Sequence, residues 1–230
     1  MRSVSVFPRA CVALISAVLA VPAPAAAHVQ INGSAALVSD YRYRGISLSQ
    51  GRPAVQAGLE MTADGWFAGA WASTIRNHDK PSAEVDLYAG WRGAVGTSRY
   101  ALTGYYYVDP RRSVMNYAEL QALLSQPVGG LELELEASVA PEQTHIDEPN
   151  IYLAAGLSLP LKSHGVSLSA HAGYENGSWH RKTDWDVGAD YHHAAFHIGV
   201  HLIGVTGPAC HGALPDCGRT ALVGSARVDL

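Results

Sequence analysis

The 230-residue chain is 48% hydrophobic and only 16% charged, which excludes a disordered protein, because disordered chains are polar and highly charged. Its 16 Lys and Arg against 20 Asp and Glu give a net charge of −4, so the chain lacks the basic surplus typical of nucleic-acid binding. A polytopic helical membrane protein is also excluded, since that class needs several apolar runs of about 20 residues.

Residues 1–27 have the three parts of a secretory signal peptide. Two arginines accompany an apolar run over residues 10–21, and small residues precede an expected cleavage point before His28. The apolar run is too short to cross a bilayer as a helix, for which about 20 residues are needed. We therefore expect residues 28–230 to be exported as a single domain with 14 basic and 20 acidic residues.

After residue 28, apolar and polar residues alternate with the strand period of two. The clearest case is LELELEASV at 131–139, where a strand separates the Leu and Glu side chains onto opposite faces and a helix would mix them. The alternation predicts twelve strands, with ten or fourteen as alternatives. The predicted strands are 30–44, 53–62, 66–74, 83–92, 99–108, 115–125, 131–140, 150–160, 166–175, 184–191, 195–203 and 219–230.

The predicted connections between these strands alternate in length. Those after odd strands hold about 6–15 residues, such as 45–52 and 75–82, and those after even strands hold about 3–6. This alternation is typical of bacterial outer-membrane barrels, which have short periplasmic turns and longer outer loops. Because every backbone polar group must be paired in lipid, we expect the sheet to close.

The predicted fold is therefore all-β: a transmembrane antiparallel up-and-down β-barrel in the cell outer membrane, with both termini in the periplasm. The apolar faces would contact outer-membrane lipid, and aromatic residues near strand ends, such as Trp66, Trp71 and Tyr117, would form girdles at the membrane interfaces. A secreted β-sandwich is the alternative, but its core would need bulkier residues than the many Ala and Gly on these faces.

The polar faces of the strands would point into the lumen and make it acidic, so that it prefers cations, because charged rings in a pore select ions of opposite sign. The basic side chains on these faces are Arg42, Arg44, Arg92, Arg99 and Arg227. The acidic ones are Asp40, Glu60, Glu84, Asp86, Glu119, Glu132, Glu134, Glu136, Glu175, Asp184, Asp186, Asp190 and Asp229.

The segment from Asp40 to Gly45 is the densest motif, DYRYRG. As a continuation of the first strand, it would place Asp40, Arg42 and Arg44 in the lumen and the two tyrosines outside, with Gly45 opening an outer turn. These charges would form either a selectivity cluster or an ionic network that braces the barrel wall, and the bracing role is favoured.

Residues 33–61 and 65–73 resemble the opening of the TorF-type family of porins, which are proteobacterial outer-membrane β-barrel proteins. The resemblance implies a barrel with passive transport and provides no substrate. One departure is the terminal Leu230, where outer-membrane proteins usually end in Phe or Trp, but Leu230 is apolar and in phase, so we expect the last strand to be recognised by the outer-membrane assembly machinery. The matching positions are Ser39, Asp40, Tyr41, Tyr43, Arg44, Gly45, Ser47, Pro53, Ala54 and the stretch from Glu84 to Trp91.

Two further groups of residues suggest local chemistry. Cys210 and Cys217 lie in the longest predicted outer loop, and in an exported protein they are expected to form a disulfide, with a metal site that includes His211 as the alternative. His192, His193, His197 and His201 resemble a metal cluster, but positions four apart on a strand stand about 13 Å apart, too far to share one ion. These histidines are expected to be ordinary lumen or interface residues.

The sequence contains no recognisable nucleophile, zinc or phosphate-loop motif. The leading hypothesis is an outer-membrane porin for passive diffusion of small polar or cationic solutes, with no catalytic residues, metal or cofactor. The first alternative is a narrow or plugged barrel with a structural or surface-binding role. The second is a rim-active enzyme, for which Asp184, Asp186 and His180 are the candidate residues.

Overall fold

The computed structural model of the chain describes residues 28–77, 80–161, 165–179, 181–207 and 219–230. The predicted signal peptide, His180 and the predicted disulfide between Cys210 and Cys217 lie outside these ranges. Within them, no helix is long and apolar enough to cross a membrane.

The fold is a closed antiparallel β-barrel of twelve strands, as predicted from the alternation. Each barrel strand pairs with its sequence neighbours in the barrel, and the last strand pairs with the first. Two very short strands, β2 and β3, form a separate hairpin. The strands are β1 Gln30–Val38, β2 Arg42–Tyr43, β3 Ile46–Ser47, β4 Ala54–Ala63, β5 Trp66–Asn77, β6 Lys80–Val95, β7 Ser98–Val108, β8 Tyr117–Val128, β9 Leu131–Ala140, β10 Asn150–Leu161, β11 Val166–Asn176, β12 Lys182–His193, β13 Phe196–Thr206 and β14 Ala221–Asp229, with one 3₁₀ turn at Ser113–Met115.

Closure gives β1 a partner on both sides. Ala36 of β1 lies opposite Gln56 of β4 and Arg227 of β14. The backbones of Gly33 and Leu230 extend this pairing with hydrogen bonds of 2.9 and 3.3 Å. The barrel therefore has no open sheet edge at the junction of its first and last strands, which removes a site for uncontrolled pairing with other chains.

The two faces of each barrel strand differ as the sequence predicts. Leu59, Ile198 and Leu222 point outward and are 56%, 54% and 70% exposed, far more than core leucines and isoleucines would be. On β9 the leucines also point outward, whereas Glu134 and Glu136 face the barrel interior. The exterior is therefore an apolar surface and the interior a polar one.

The connections define two ends of the barrel. Two-residue turns at 64–65, 96–97, 129–130 and 194–195 mark the short-turn end, and longer segments such as 109–116 and 141–149 mark the long-loop end. One predicted long loop, 75–82, is wrong: β5 continues to residue 77 and β6 begins at residue 80. β5 and β6 pair with each other as far as Asn77 and Lys80, so most of the residues predicted to form a loop belong to the two strands.

The first predicted strand, 30–44, is also wrong in its second half. β1 ends at Val38, and the segment 39–53, which we call the inner hairpin, turns into the barrel before β4 begins. Tyr41 and Tyr43, predicted outside, are consequently inside, where both hydroxyl groups bond to interior side chains. The alternation of apolar and polar residues does not predict the conformation of this segment, because side chains within 40–51 form hydrogen bonds with one another and hold it in a hairpin.

The predicted aromatic girdles form only in part. Trp66, Trp91 and Tyr100 lie on the outer face near the short-turn end, where the rings of Trp91 and Tyr100 stand 5.4 Å apart. Trp71 and Tyr117 instead face the interior, in phase with Asp86 and Tyr107. An aromatic residue near a strand end therefore does not by itself indicate which side of the wall it occupies.

Barrel closure predicts a specific cross-link. Ala35 of β1 and Val228 of β14 lie opposite each other on the outer face, so the double variant Ala35→Cys/Val228→Cys should form a disulfide, which needs Cα atoms about 4.4–6.8 Å apart. Peptide mass spectrometry of oxidised protein, with Cys210 and Cys217 replaced by serine, detects it. Cysteines at Ala35 and Ile198, which lie two strands apart, should stay unlinked; an open sheet would leave both pairs unlinked.

Candidate functional site: the barrel lumen

The inner hairpin is built on a tight two-residue turn. Arg44 and Gly45 have φ angles of 46° and 79°, so both central residues adopt the left-handed conformation that two-residue hairpin turns require. A Cβ atom on Gly45 would stand 2.7 Å from Cβ of Val205 and 2.9 Å from Cβ of Asp184. Only glycine fits at this position, because the tip of the turn presses directly against β12 and β13.

Asp40 holds the base of the inner hairpin together. Its carboxylate accepts hydrogen bonds from the hydroxyls of Ser47 and Ser49, at 2.5 and 3.0 Å, and from the backbone N–H of Gly51 at 3.2 Å. It also pairs with Nε of Arg42 at 2.6 Å. The charges of Asp40 and Arg42 are therefore paired with each other, and both side chains also bond to the local backbone.

Arg44 is the central contact between the hairpin and the barrel. Its guanidinium donates to Glu119 of β8 and Glu175 of β11, both at 2.7 Å, and stands 3.8 Å from Glu136 of β9. Its Cζ atom lies 4.1 Å from the ring centre of Tyr152 on β10. One side chain thus touches four consecutive strands.

These four strands lie across the barrel from the strand that carries the hairpin. In the order β1, β4 to β14, the wall opposite β1 is centred on β9. The hairpin leaves β1 at Val38, and Arg44 reaches β8 to β11, so the inner hairpin crosses the lumen. It does so near the long-loop end, since Glu119 and Glu175 are each within two residues of the ends of their strands.

Further interior side chains surround the Arg44 cluster. Glu175 also pairs with Lys182 and accepts a hydrogen bond from Asn150 at 3.0 Å. Asp184, beside Gly45, bonds to the hydroxyl of Tyr152 at 3.1 Å and to Nε2 of His171 at 3.2 Å. The long-loop end of the lumen therefore contains a connected network of paired charges, most of them buried.

The two hairpin tyrosines bind the wall on the other side. Tyr41 donates its hydroxyl to Glu84 at 2.7 Å, and burial together with the charge of Glu84 raises the pKa of Tyr41 well above its ordinary value. Burial likewise raises the pKa of Tyr43, whose hydroxyl lies 3.1 Å from that of Tyr107. Both tyrosines therefore stay protonated, and Tyr41 acts as a hydrogen-bond donor to Glu84.

The charge state of Arg44 is also fixed. Burial alone would lower its pKa, but the hydrogen-bonded carboxylate of Glu119 raises it above the ordinary arginine value. The guanidinium is therefore positive at every physiological pH, and acidification leaves its charge in place, because acid keeps a guanidinium protonated.

The predicted lumen residues face the interior, but they divide into separate groups. Near the short-turn end, Glu60 pairs with Arg92 at 2.5 Å and Glu132 pairs with Arg99. The residues drawn into contacts with the inner hairpin are Asp40, Arg42, Arg44, Glu84, Glu136 and Asp184, and those placed elsewhere on the inner wall are Glu60, Asp86, Glu132, Glu134, Asp186 and Asp190.

Several interior residues were not predicted from the sequence, and three of them surround the Arg44 cluster. Lys182, buried beside Glu175, precedes the predicted start of its strand by two residues, and continuing the alternation backwards from Asp184 would have found it. Tyr152 and His171 lie on the polar faces of predicted strands. The alternation of apolar and polar residues would therefore have placed them in the interior as well. Their role at the hairpin had no local signal, because it depends on contact with residues over a hundred positions away.

The histidines do not converge on one point. His192 and His197 face each other across β12 and β13, and His197 bonds to Asp229 at 2.9 Å. His201 instead bonds to Asp186 and Asp190, at 2.8 and 3.2 Å. Within the described ranges, no group of three His, Cys, Asp or Glu side chains has the arrangement of a metal site.

A cavity of about 810 Å³ lies in the lumen, bounded by the inner hairpin and extending to Glu60 and Arg92 near the short-turn end. One wall, on β5 to β8, carries aromatic side chains: Tyr105 and Tyr107 stack at 5.7 Å, and Tyr107 and Tyr117 at 4.4 Å. The opposite wall carries carboxylates and histidines. The cavity can therefore contact a solute through two chemically different surfaces.

Residues 22–215 match a protein-family model described as "Bacterial protein of unknown function (Gcw_chp)". The chain belongs to this family. The match supports neither the TorF-type name nor a particular activity. No protein with a curated description matches the chain.

Solved structures show the same fold at very low sequence identity. A KdgM porin in complex with disordered oligogalacturonate superposes with a TM-score of 0.55 at 8% identity, covering 86% of this chain and 95% of that one. An outer membrane channel from Pseudomonas putida F1 gives 0.54 at 10% identity, covering 90% and 96%. LpxR from Salmonella typhimurium gives 0.50 at 9%, covering 86% and 99%. This similarity concerns the barrel fold alone.

Removal of Arg44 is predicted to destabilise the barrel. Arg44→Ala leaves Glu119 and Glu175 buried without their common partner, so we expect the free energy of unfolding to fall by about 3 kcal/mol. Urea titration of protein refolded in detergent micelles measures the loss. Arg111→Ala, in an exposed loop, is the matched control and should change stability by less than about 0.5 kcal/mol. Equal effects of the two variants would contradict the stabilising role of the contacts between Arg44 and the barrel wall.

Proposed function

We propose that the protein is an outer-membrane channel for small solutes with a preference for cations, and that the inner hairpin narrows its long-loop end. The observation that carries this proposal is the combination of an apolar exterior, a closed barrel and an interior cavity with a surplus of carboxylates. Similarity in fold to a porin and to an outer membrane channel supports it.

Membrane location and orientation belong to the same proposal. The apolar outer face suits contact with outer-membrane lipid, and 1–27 would direct export before cleavage. With the short-turn end in the periplasm, as in bacterial barrels generally, the termini are periplasmic and the inner hairpin narrows the extracellular side. β14 would present the assembly machinery with its terminal apolar residue, Leu230.

A second function is favoured by one specific observation. The inner hairpin spans the lumen and is tied to the opposite wall by Arg44, as expected of a closed barrel with a structural or surface-binding role. A rim-active enzyme has less support, because Asp184 is buried at the hairpin and Asp186 is bonded to His201. Conductance separates the channel from the closed barrel.

Planar bilayers with refolded wild-type protein should show conductance with cation preference. In a KCl gradient, the reversal potential is expected to shift towards the K⁺ equilibrium potential, because inward-facing carboxylates attract cations and repel chloride. Glu132→Gln/Glu134→Gln should reduce this shift, while Glu142→Gln/Glu148→Gln in an exposed loop should not. Anion preference would contradict the acidic lumen, and no conductance at all would favour the closed barrel.

Release of the inner hairpin should widen the passage. Arg44→Ala removes the contacts to Glu119 and Glu175, so we expect a larger single-channel conductance than in wild type. Gly45→Val, which introduces a side chain where Val205 leaves no room, should act in the same direction. Arg111→Ala is the control and should conduct as wild type does; unchanged conductance in both hairpin variants would show that the hairpin does not limit flow.

A further inference from the structure

Within the described part of the chain, Asp86 is a buried carboxylate without a partner, and it lies in the middle of the aromatic wall. It is 8% exposed and lines the lumen cavity. Its Oδ1 atom has no hydrogen-bond donor, and no Lys, Arg or His in the described part of the chain forms an ion pair with it. The neighbouring inward-facing carboxylate, Glu84, differs because Tyr41 donates a hydrogen bond to it. An unpaired buried carboxyl group is costly and calls for an explanation.

Aromatic residues flank Asp86 on both neighbouring strands. On the inner face of the sheet, Asp86 lies directly between Trp71 of β5 and Tyr107 of β7. Tyr88 follows it on the same face of β6 and pairs with Tyr105, and the rings of that pair stand 5.7 Å apart. Directly opposite and diagonal side chains on one sheet face are within contact distance for aromatic residues.

A carboxylate among aromatic rings is suited to one class of ligand. The faces of Trp and Tyr rings attract cations, and this attraction is strongest for cations that give up their water easily, such as quaternary ammonium groups. Small inorganic cations instead need several oxygen ligands, and within the described residues no group of three His, Cys, Asp or Glu side chains is arranged to hold a metal ion. The cavity of about 810 Å³ is within the usual range for small-molecule sites.

We propose that Asp86, with Trp71, Tyr88, Tyr105 and Tyr107, forms a binding site for a compact organic cation in the lumen. The ammonium group lies against the rings and pairs with the carboxylate of Asp86, which supplies the missing partner. The site deepens the proposed channel function by naming a solute class, and it rests on the lumen being reachable by solutes. It does not require that solutes pass the inner hairpin.

Choline and its neutral isostere 3,3-dimethyl-1-butanol provide the test, because they differ in the charged nitrogen and share size and shape. Calorimetric titration of each into wild-type protein refolded in detergent, at constant ionic strength, should show saturable binding of choline at least tenfold tighter than that of the alcohol. Tryptophan fluorescence should change with the same midpoint, since Trp71 borders the site.

Substitutions at Asp86 and Tyr105 test whether choline binds at the proposed site. Asp86→Asn should weaken choline binding at least tenfold, and Asp147→Asn, which removes a carboxylate from an exposed loop, should leave it unchanged. Tyr105→Phe keeps the ring and should retain binding, whereas Tyr105→Leu should weaken it. Migration on gels before and after boiling confirms that each variant is folded, so loss of binding cannot be attributed to loss of the barrel.

Three results would overturn the site: no saturable choline binding to folded wild-type protein, equal binding of choline and the alcohol, or unchanged binding in Asp86→Asn. The result is independent of conductance. Choline binding in a protein that conducts no current supports the binding site and contradicts the channel function. Conductance without choline binding supports the channel function and contradicts the binding site.

Discussion

The arrangement of the lumen depends on one buried cation. A guanidinium in a region of low dielectric is stable only when carboxylates surround it and satisfy its donors, and Arg44 meets this condition with Glu119, Glu175 and Glu136. Because these carboxylates come from strands opposite β1, their attraction pulls the inner hairpin across the barrel. Without Arg44 the same carboxylates would repel one another, so the hairpin and the wall stabilise each other.

The inner hairpin divides the lumen into two regions with different chemistry. At the long-loop end, charges are paired and buried, and Gly45 packs against Val205 with no room for a side chain. Towards the short-turn end, the cavity has an aromatic wall that includes the unpaired Asp86 and a wall of carboxylates and histidines. The first region suits a constriction and the second suits transient contact with solutes.

The period-two pattern predicted the barrel well, because each wall residue faces either the exterior or the interior and its polarity follows directly. Leu131 to Ala140 lies where the sequence indicates. The same rule failed for 39–44, since Asp40 takes its partners from Ser47, Ser49 and Gly51, and these local bonds override the alternation. The motif that carries the family resemblance was thus visible in the sequence, whereas its inward fold depends on distant residues such as Glu175.

The position of the inner hairpin can be measured most directly by hydrogen exchange of residues 39–53 in protein refolded into lipid. The amide of Leu48 donates to the carbonyl of Tyr41, and that of Arg76 donates to the carbonyl of Leu48, so this segment is bonded both to itself and to the barrel wall. Amides at 41–48 should exchange as slowly as those of the barrel strands, and Arg44→Ala should remove the protection. Exchange in the wild type as fast as that of the exposed residues Thr144 and His145 would show that the segment lies outside the lumen.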